Sequence, residues 1–356
     1  MTVRITGGSV AEFPLGGERL GLLLTLADRD GLWGQGEASP LPGYSPDTAD
    51  TARATLAAFL AGPPPTVHLD APIAPQVAAV AAPLAETSPA AAFAVETALL
   101  DLAGTRMGRP MWALLAEDRE GQPPPVALAA LLEAESAGPL LAAARAALTR
   151  GITTFKVKVG RQPFREELAL LFQLRHLTGY GVALRLDANG RFAAEAVRDR
   201  LLALAALHTE FVEEPAAAVA WPYLKGSPVP LALDESLQGV EGWHRGRTWL
   251  REGIARVVVL KPATLGGLLR CLEMAREAAR LGATAVVTHT LDGPVALTAA
   301  AHLALALPHR RAACGLDRHA GLDRWPAADL PWHQRTIVAP LDTPGLGLPS
   351  LVPGVG

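Results

Sequence analysis

The chain has 356 residues, half of them hydrophobic and 19% charged, so it can bury a large core and is longer than one ordinary domain. Its net charge is −3, from 32 basic and 35 acidic residues, with no basic run interleaved with aromatics, which excludes nucleic acid and anionic membrane as expected partners. No apolar run approaches a membrane span, MTVRITGGSV lacks a signal-peptide core, and Cys271 and Cys314 show no metal or redox spacing, so a cytoplasmic setting is expected.

In chain order, residues 1–122 mix strand-like runs such as Leu20–Ala27 (LGLLLTLA) with alanine-rich helical stretches such as Ala90–Leu102. Pro63–Pro65 interrupt this α+β module and Pro123–Pro125 close it. From 123 to 316 short apolar strands alternate with amphipathic helices. The strands are expected at Val126–Leu132, Thr154–Val159, Ala183–Ala188, Phe211–Glu214, Leu231–Glu235, Arg256–Lys261, Ala285–Thr290 and Arg311–Leu316. Such alternation means a parallel sheet, and eight repeats favour an α/β barrel over an open sheet. Residues 317–356, rich in Pro and Gly, are expected to pack back on the first module.

The second of these strands, GITTFKVKVG (151–160), carries Lys156 and Lys158 two positions apart. Residues i and i+2 of a strand face the same way, so the ammonium groups stand roughly 7 Å apart on one face. Alone, such lysines read as guards of a sheet edge. The next strands change that reading. They end in Asp187, in Glu213-Glu214, in Asp234-Glu235 and in Lys261. Any one acid would serve as a helix cap. Charged residues closing four consecutive strands at the C-terminal face, where such barrels place their active sites, point to one shared site.

Asp187, Glu213 and Asp234 around one point would repel one another unless protons or a cation were bound. Oxygen ligands without His or Cys suit Mg²⁺, a Lewis acid for a substrate carboxylate. A lysine base must titrate about 3 units below its free value near 10.4. Two ammonium groups ~6 Å apart at an effective dielectric of ~20 repel by about 2.8 kcal/mol, a large part of that gap. Lys158, nearer the strand end, is the expected base. Lys156 depresses its pKa and holds the substrate carboxylate, and Lys261 comes from the opposite side of the mouth.

The order KxK, DAN, EEP, DES, LKP resembles the enolase superfamily, in its muconate-lactonizing subgroup, over almost the whole chain. Gly36–Ser45 (GEASPLPGYS), Val95–Leu115, Lys156–Gly160 and Leu184–Asn189 are most similar to the o-succinylbenzoate synthases. The resemblance implies a modified TIM barrel, (β/α)7β, with an α+β N-terminal capping domain completed by the C-terminal tail. It implies Mg²⁺, with Mn²⁺ as a substitute, on Asp187, Glu213 and Asp234, with Glu214 pointing away. Lys158 would take the proton alpha to a small-molecule carboxylate and return it to a departing hydroxyl, while Lys261 stabilises the enediolate. The implied reaction is dehydration of 2-succinyl-6-hydroxy-2,4-cyclohexadiene-1-carboxylate to o-succinylbenzoate in menaquinone biosynthesis.

Residues 36–45 match a mobile loop that closes over the substrate, so Ser39 and Tyr44 are implied contacts, as is Asn189. Thr290, Asp292 and Gly293 fall where the succinyl arm would lie, although THTLDGP (288–294) replaces the family's usual serines and Glu. The nearest alternative is an N-succinylamino acid racemase, or an enzyme with both activities. Dipeptide epimerases carry Asp-x-Asp at the last strand, where this chain has only Asp317. A mandelate-racemase-like pair would need an Asp where Lys261 stands, leaving His289 as a supporting or substrate-contacting residue. A Schiff base on Lys261 would leave the acids without a role, and a catalytically dead metal-binding barrel would leave the lysines without one.

Overall fold

A computed structural model describes residues 2–17, 19–116, 121–133, 136–308, 312–322, 332–333, 335–338 and 343–349. Strands β1 (Thr2–Gly16), β2 (Arg19–Asp28), β3 (Trp33–Ala38) and β4 (Thr66–His68) make an antiparallel sheet in the order β3-β2-β1-β4. One face of this sheet packs on the helix Pro89–Met107, whose residues 90–104 are all buried. That helix starts where Ser88 accepts from the Ala91 N–H, has Pro89 in its first turn, and stops at Gly108 in the left-handed region (φ 64°). Gly36 lets β3 lie directly against it, because a Cβ there would sit 1.8 Å from the Ala94 carbonyl oxygen.

Seven parallel strands follow: β5 (Ala130–Leu132), β6 (Thr154–Lys158), β7 (Ala183–Asp187), β8 (Phe211–Glu213), β9 (Leu231–Leu233), β10 (Val257–Leu260) and β11 (Thr284–Val287). Each pairs with the next in sequence. The expected eighth strand, Arg311–Leu316, begins outside the described residues. Its Cys314 bridges Leu128 and its Gly315 bridges Thr288, both in parallel, which joins the two edges of the sheet and closes the barrel. The expected first strand is split. Val126–Ala127 pairs antiparallel with Thr336–Ile337, and only 130–132 enters the barrel.

Between β8 and β9 the expected helix is a 3-10 segment, Ala218–Leu224. Pro222 lies inside it and cannot donate an i→i−4 bond, so a regular α-helix is blocked there. Trp221 from this segment is fully buried and stacks on Trp249 at 4.9 Å. Among the described residues no helix is long and apolar enough to cross a membrane.

Buried carboxylates tie the N-terminal module to the barrel. Glu96 accepts from the backbone N–H groups of Leu268 and Leu269, at the start of the barrel helix Leu268–Arg280. Glu37 does the same for Gly293 (2.6 Å) and Ala296 (3.1 Å), at the start of helix Pro294–Ala306. Asp101 accepts from Gln35 and from Leu346 of the tail, at 2.8 and 2.7 Å. Most of the remaining tail, and residues 117–120 beside the expected boundary at 122, lie outside the described residues.

Candidate active site

Strand register sets the site. Lys158 lies opposite Asp187, and Asp187 opposite Glu213, on three adjacent strands. Asp234 and Lys261 each follow the last residue of their strand. Asp187, Glu213 and Asp234 are 0%, 1% and 3% exposed. The Lys156 ammonium donates to Glu213 Oε1 at 2.7 Å and stands 3.0 Å from Asp187 Oδ2. Lys158 donates to Asp187 Oδ2 (3.2 Å) and to Asn189 Oδ1 (2.9 Å). Lys261 is paired with Asp234 and donates to the Tyr44 hydroxyl, which itself donates to Asp234 at 3.0 Å.

Burial pushes all three acids up, but the charges around them differ. Lys156 and Lys158 outweigh burial at Asp187 and hold it well below the usual carboxylate range. Glu213 is raised, by burial and then by Asp187. Burial would lower Lys156 and Lys261, yet the acids beside them outweigh it and hold both above the usual lysine range. For these two groups the carboxylates win over the like-charge repulsion that the sequence alone suggested.

Glu214, at a left-handed φ of 40°, turns out of the mouth. Its carboxylate accepts from the Asp234 and Ser236 N–H groups and the Ser236 hydroxyl, each at 2.8 Å, and burial pushes it up to about 8. It thereby orients the chain that carries Asp234. Asn189, also left-handed (φ 43°), donates from Nδ2 to Glu235 Oε1 at 2.8 Å.

A cavity of about 590 Å³, within the range of small-molecule sites, opens at this end of the barrel. Lys156, Lys158, Glu213 and Lys261 line one side, and Leu41 and Tyr44 come from the N-terminal module. Its depth is lined by Phe211, Val259 and Val286, with the Arg185 guanidinium over the Phe211 ring at 4.8 Å and bonded to Glu210 and the Ala313 carbonyl.

Of the expected substrate contacts, Tyr44 and Thr290 line this cavity. Ser39, Asp292 and Gly293 do not; they are drawn into the seam between module and barrel. The Ser39 hydroxyl and the Gly293 N–H both donate to Glu37, and a Cβ on Gly293 would lie 2.6 Å from that carboxylate. Asp292 accepts from the Thr290 N–H and hydroxyl and faces Arg19 at 3.7 Å. Asn189 sits behind Lys158 and is likewise absent from the wall.

His289 lines the cavity but cannot serve there as a base. Its Nδ1 accepts from the Leu291 N–H at 2.8 Å, and its Nε2, 3.2 Å from the Asp317 carbonyl, must donate. Burial pushes it down to about 4. His319 stacks on it at 5.1 Å, with its own nitrogens on Asp292 O and the Gly321 N–H. Asp317 is held by both nitrogens of the Arg150 fork, at 2.8 and 2.5 Å.

As the side chains stand, no three His, Cys, Asp or Glu groups among the described residues already converge as metal ligands; the acid oxygens are turned to the lysines. The donor set still suits a hard cation. Three buried carboxylates come from adjacent strands without His or Cys, and Asp187 pushes Glu213 up, a crowding of negative charge that a cation would relieve.

Sequence reasoning missed the roles of Glu235, Arg185 and His319. Arg185 had a signal, since it shares strand parity with Asp187. Glu235 opens a one-turn 3-10 segment and His319 lies in a loop, and neither is long enough for a periodicity to report side-chain direction.

Comparison with known proteins agrees with this geometry. Residues 18–116 match the family model "Mandelate racemase / muconate lactonizing enzyme, N-terminal domain", and residues 140–349 match "Enolase C-terminal domain-like". The chain is 32% identical over 323 residues to an o-succinylbenzoate synthase of Thermosynechococcus vestitus, covering 88% of this chain and 87% of that one. It is 28% identical over 286 residues to muconate cycloisomerase 1-1 of Acinetobacter lwoffii, covering 79% and 74%. Among solved structures, a dipeptide epimerase from Enterococcus faecalis superposes with a TM-score of 0.83 at 21% identity, over 98% of this chain and 99% of that one. A muconate cycloisomerase from Pseudomonas fluorescens gives 0.84 at 24%, over 98% and 97%. These two likenesses carry the fold alone.

Proposed function

Because the chain belongs to the enolase superfamily, we propose that it uses lysine proton abstraction alpha to a carboxylate to dehydrate 2-succinyl-6-hydroxy-2,4-cyclohexadiene-1-carboxylate to o-succinylbenzoate. The observation that carries this reading is the meeting of Lys156, Lys158 and Lys261 with Asp187, Glu213 and Asp234 at one end of the barrel, on a cavity of substrate size.

Asp187, Glu213 and Asp234 would hold Mg²⁺, which superfamily members generally use and which, when bound, supplies Lewis-acid stabilisation to the substrate carboxylate. Lys156 provides a second positive charge for that carboxylate. Lys158, in its neutral form, takes the alpha proton and then delivers it to the departing hydroxyl, so that water leaves and the ring becomes aromatic. Lys261, held between Tyr44 and Asp234, is a fixed positive charge on the other side. One acid/base group is enough for such an elimination, since the proton removed is the proton returned.

Two rival reactions fit the side chains less well. A dipeptide epimerase would need free carboxylate at the last strand to hold a substrate ammonium, and Asp317 is spent on Arg150. A mandelate-racemase-like reaction would need His289 as a base, and both its nitrogens are committed to the backbone. An N-succinylamino acid racemase remains the second reading, favoured by Lys158 and Lys261 lining the same cavity. The test is product identification. With Mg²⁺ the purified protein should convert the cyclohexadiene to its aromatic product, and Lys158→Ala should not. No conversion by the wild type overturns the proposal.

A further inference from the structure

Lys158 is bonded on one side to Asp187 and on the other to Asn189 Oδ1 at 2.9 Å. An amide that offers its oxygen to an ammonium must have its nitrogen satisfied elsewhere, and here Nδ2 donates to Glu235 Oε1 at 2.8 Å. The Asn189 backbone is fixed as well: its N–H donates to Asp187 Oδ1 at 3.1 Å, and its φ of 43° lies in the left-handed region that few residues other than Gly and Asn adopt readily. Glu235 comes from the turn after β9, and faces Asp234, Asp187 and Lys261. Its second oxygen, Oε2, is buried and has no hydrogen-bond partner among the described residues. A half-buried acid beside two others, with its one buried oxygen unsatisfied, is costly, and such a cost is usually kept for a reason.

We propose that Glu235 is a positioning residue: through Asn189 it fixes the amide so that the oxygen, not the nitrogen, faces Lys158, and so sets where the Lys158 nitrogen points. Without an acceptor at Glu235 only the Lys158 charge favours the oxygen-facing sense of the Asn189 amide, and that preference is gone when Lys158 is neutral, as a base must be. A flipped amide would present N–H groups to the ammonium and push it away. The relay joins three barrel strands through loop residues that do not touch the cavity. Its catalytic meaning rests on the reading of Lys158 as the base; its geometric content does not.

The experiment compares Glu235→Ala, Glu235→Gln and Asn189→Gly, with Lys158→Ala as control. Gln keeps an oxygen acceptor for Asn189 but loses the charge. Gly suits the left-handed backbone at 189, so that variant removes the link without straining the fold. Glu235→Ala and Asn189→Gly should each lower kcat by roughly tenfold or more with KM little changed, in the range seen when groups behind an active residue are removed. Glu235→Gln should recover most of that loss. In crystal structures of the metal-free variants, Glu235→Ala should show the Lys158–Asn189 contact broken, and Glu235→Gln should show it kept. An unchanged contact in Glu235→Ala overturns the relay, whatever the kinetics. So does a Gln variant as slow as the Ala variant, because charge and not the hydrogen bond would then be responsible. Turnover that survives Lys158→Ala overturns the proposed function instead, while the crystal structures still decide the relay.

Discussion

The Tyr44 hydroxyl donates to Asp234 Oδ2 at 3.0 Å across 190 positions of sequence, and the same oxygen accepts from Lys261. A residue of the N-terminal module thus completes a pair built by two barrel strands. Tyr44→Phe keeps the ring, which lies 4.6 Å from the Lys261 nitrogen, and removes only the hydroxyl. Leaving buried polar partners short of a bond costs about 1–3 kcal/mol, so kcat/KM should fall about tenfold or more. The same cost falls on the folded state, so thermal unfolding should drop by a few degrees. Steady-state kinetics and calorimetry on the one variant check both.

The three carboxylates should be needed for activity and not for folding. Asp187→Asn, Glu213→Gln and Asp234→Asn remove charge at nearly constant volume, so circular dichroism should stay native. Loss of several kcal/mol of barrier stabilisation would cut turnover on the order of a thousandfold. Excess chelator should abolish wild-type activity, and Mg²⁺ or Mn²⁺ should restore it. Full activity in chelator contradicts the metal-assisted reading.

At the seam, burial pushes Glu96 up to about 7 while its two backbone hydrogen bonds pull it down. The folded form therefore keeps a proton that the unfolded chain loses near 4.5. The stability from this group is fully present below that pH and is lost as pH rises through about 7. Glu96→Gln keeps an acceptor for Leu268 and Leu269 but cannot ionise. Its stability relative to wild type should accordingly improve between pH 5 and pH 8. Denaturant melts at those two pH values read the difference; an equal gap at both contradicts the raised Glu96.

Lys261→Arg separates a fixed charge from a second base. Guanidinium keeps the charge and does not accept protons at workable pH. Since Lys261 is buried, the larger head will cost some rate. Dehydration should still be faster in Lys261→Arg than in Lys261→Ala. The reverse order would mean that proton transfer, not charge, is what the position supplies.

The barrel was legible from the alternation of short apolar strands with amphipathic helices, and the meeting of its charges from period two. Lys156, Lys158, Asp187 and Glu213 stand at the ends of apolar strands, and strand parity alone puts them on one face. What was not legible lies where that period stops. Ser39, Asp292 and Gly293 are turn residues, and nothing local announces that Glu37 and Arg19 will claim them. Asn189 was read as facing substrate, but two residues past the strand its side chain answers to Glu235. The split first strand depends on Thr336–Ile337, some two hundred residues away, which no local pattern of Val126–Leu132 contains.

In the proposed dehydration Lys158 works alone as acid and base. The most direct test incubates the wild-type protein with Mg²⁺ in heavy water, first with the cyclohexadiene substrate and then with each enantiomer of an N-succinylamino acid. Product formation is read by absorbance, and alpha-deuterium incorporation by mass spectrometry. Rapid formation of o-succinylbenzoate is expected, with neither enantiomer exchanging. Fast exchange of both enantiomers without any dehydration would contradict it, and the racemase reading would take its place.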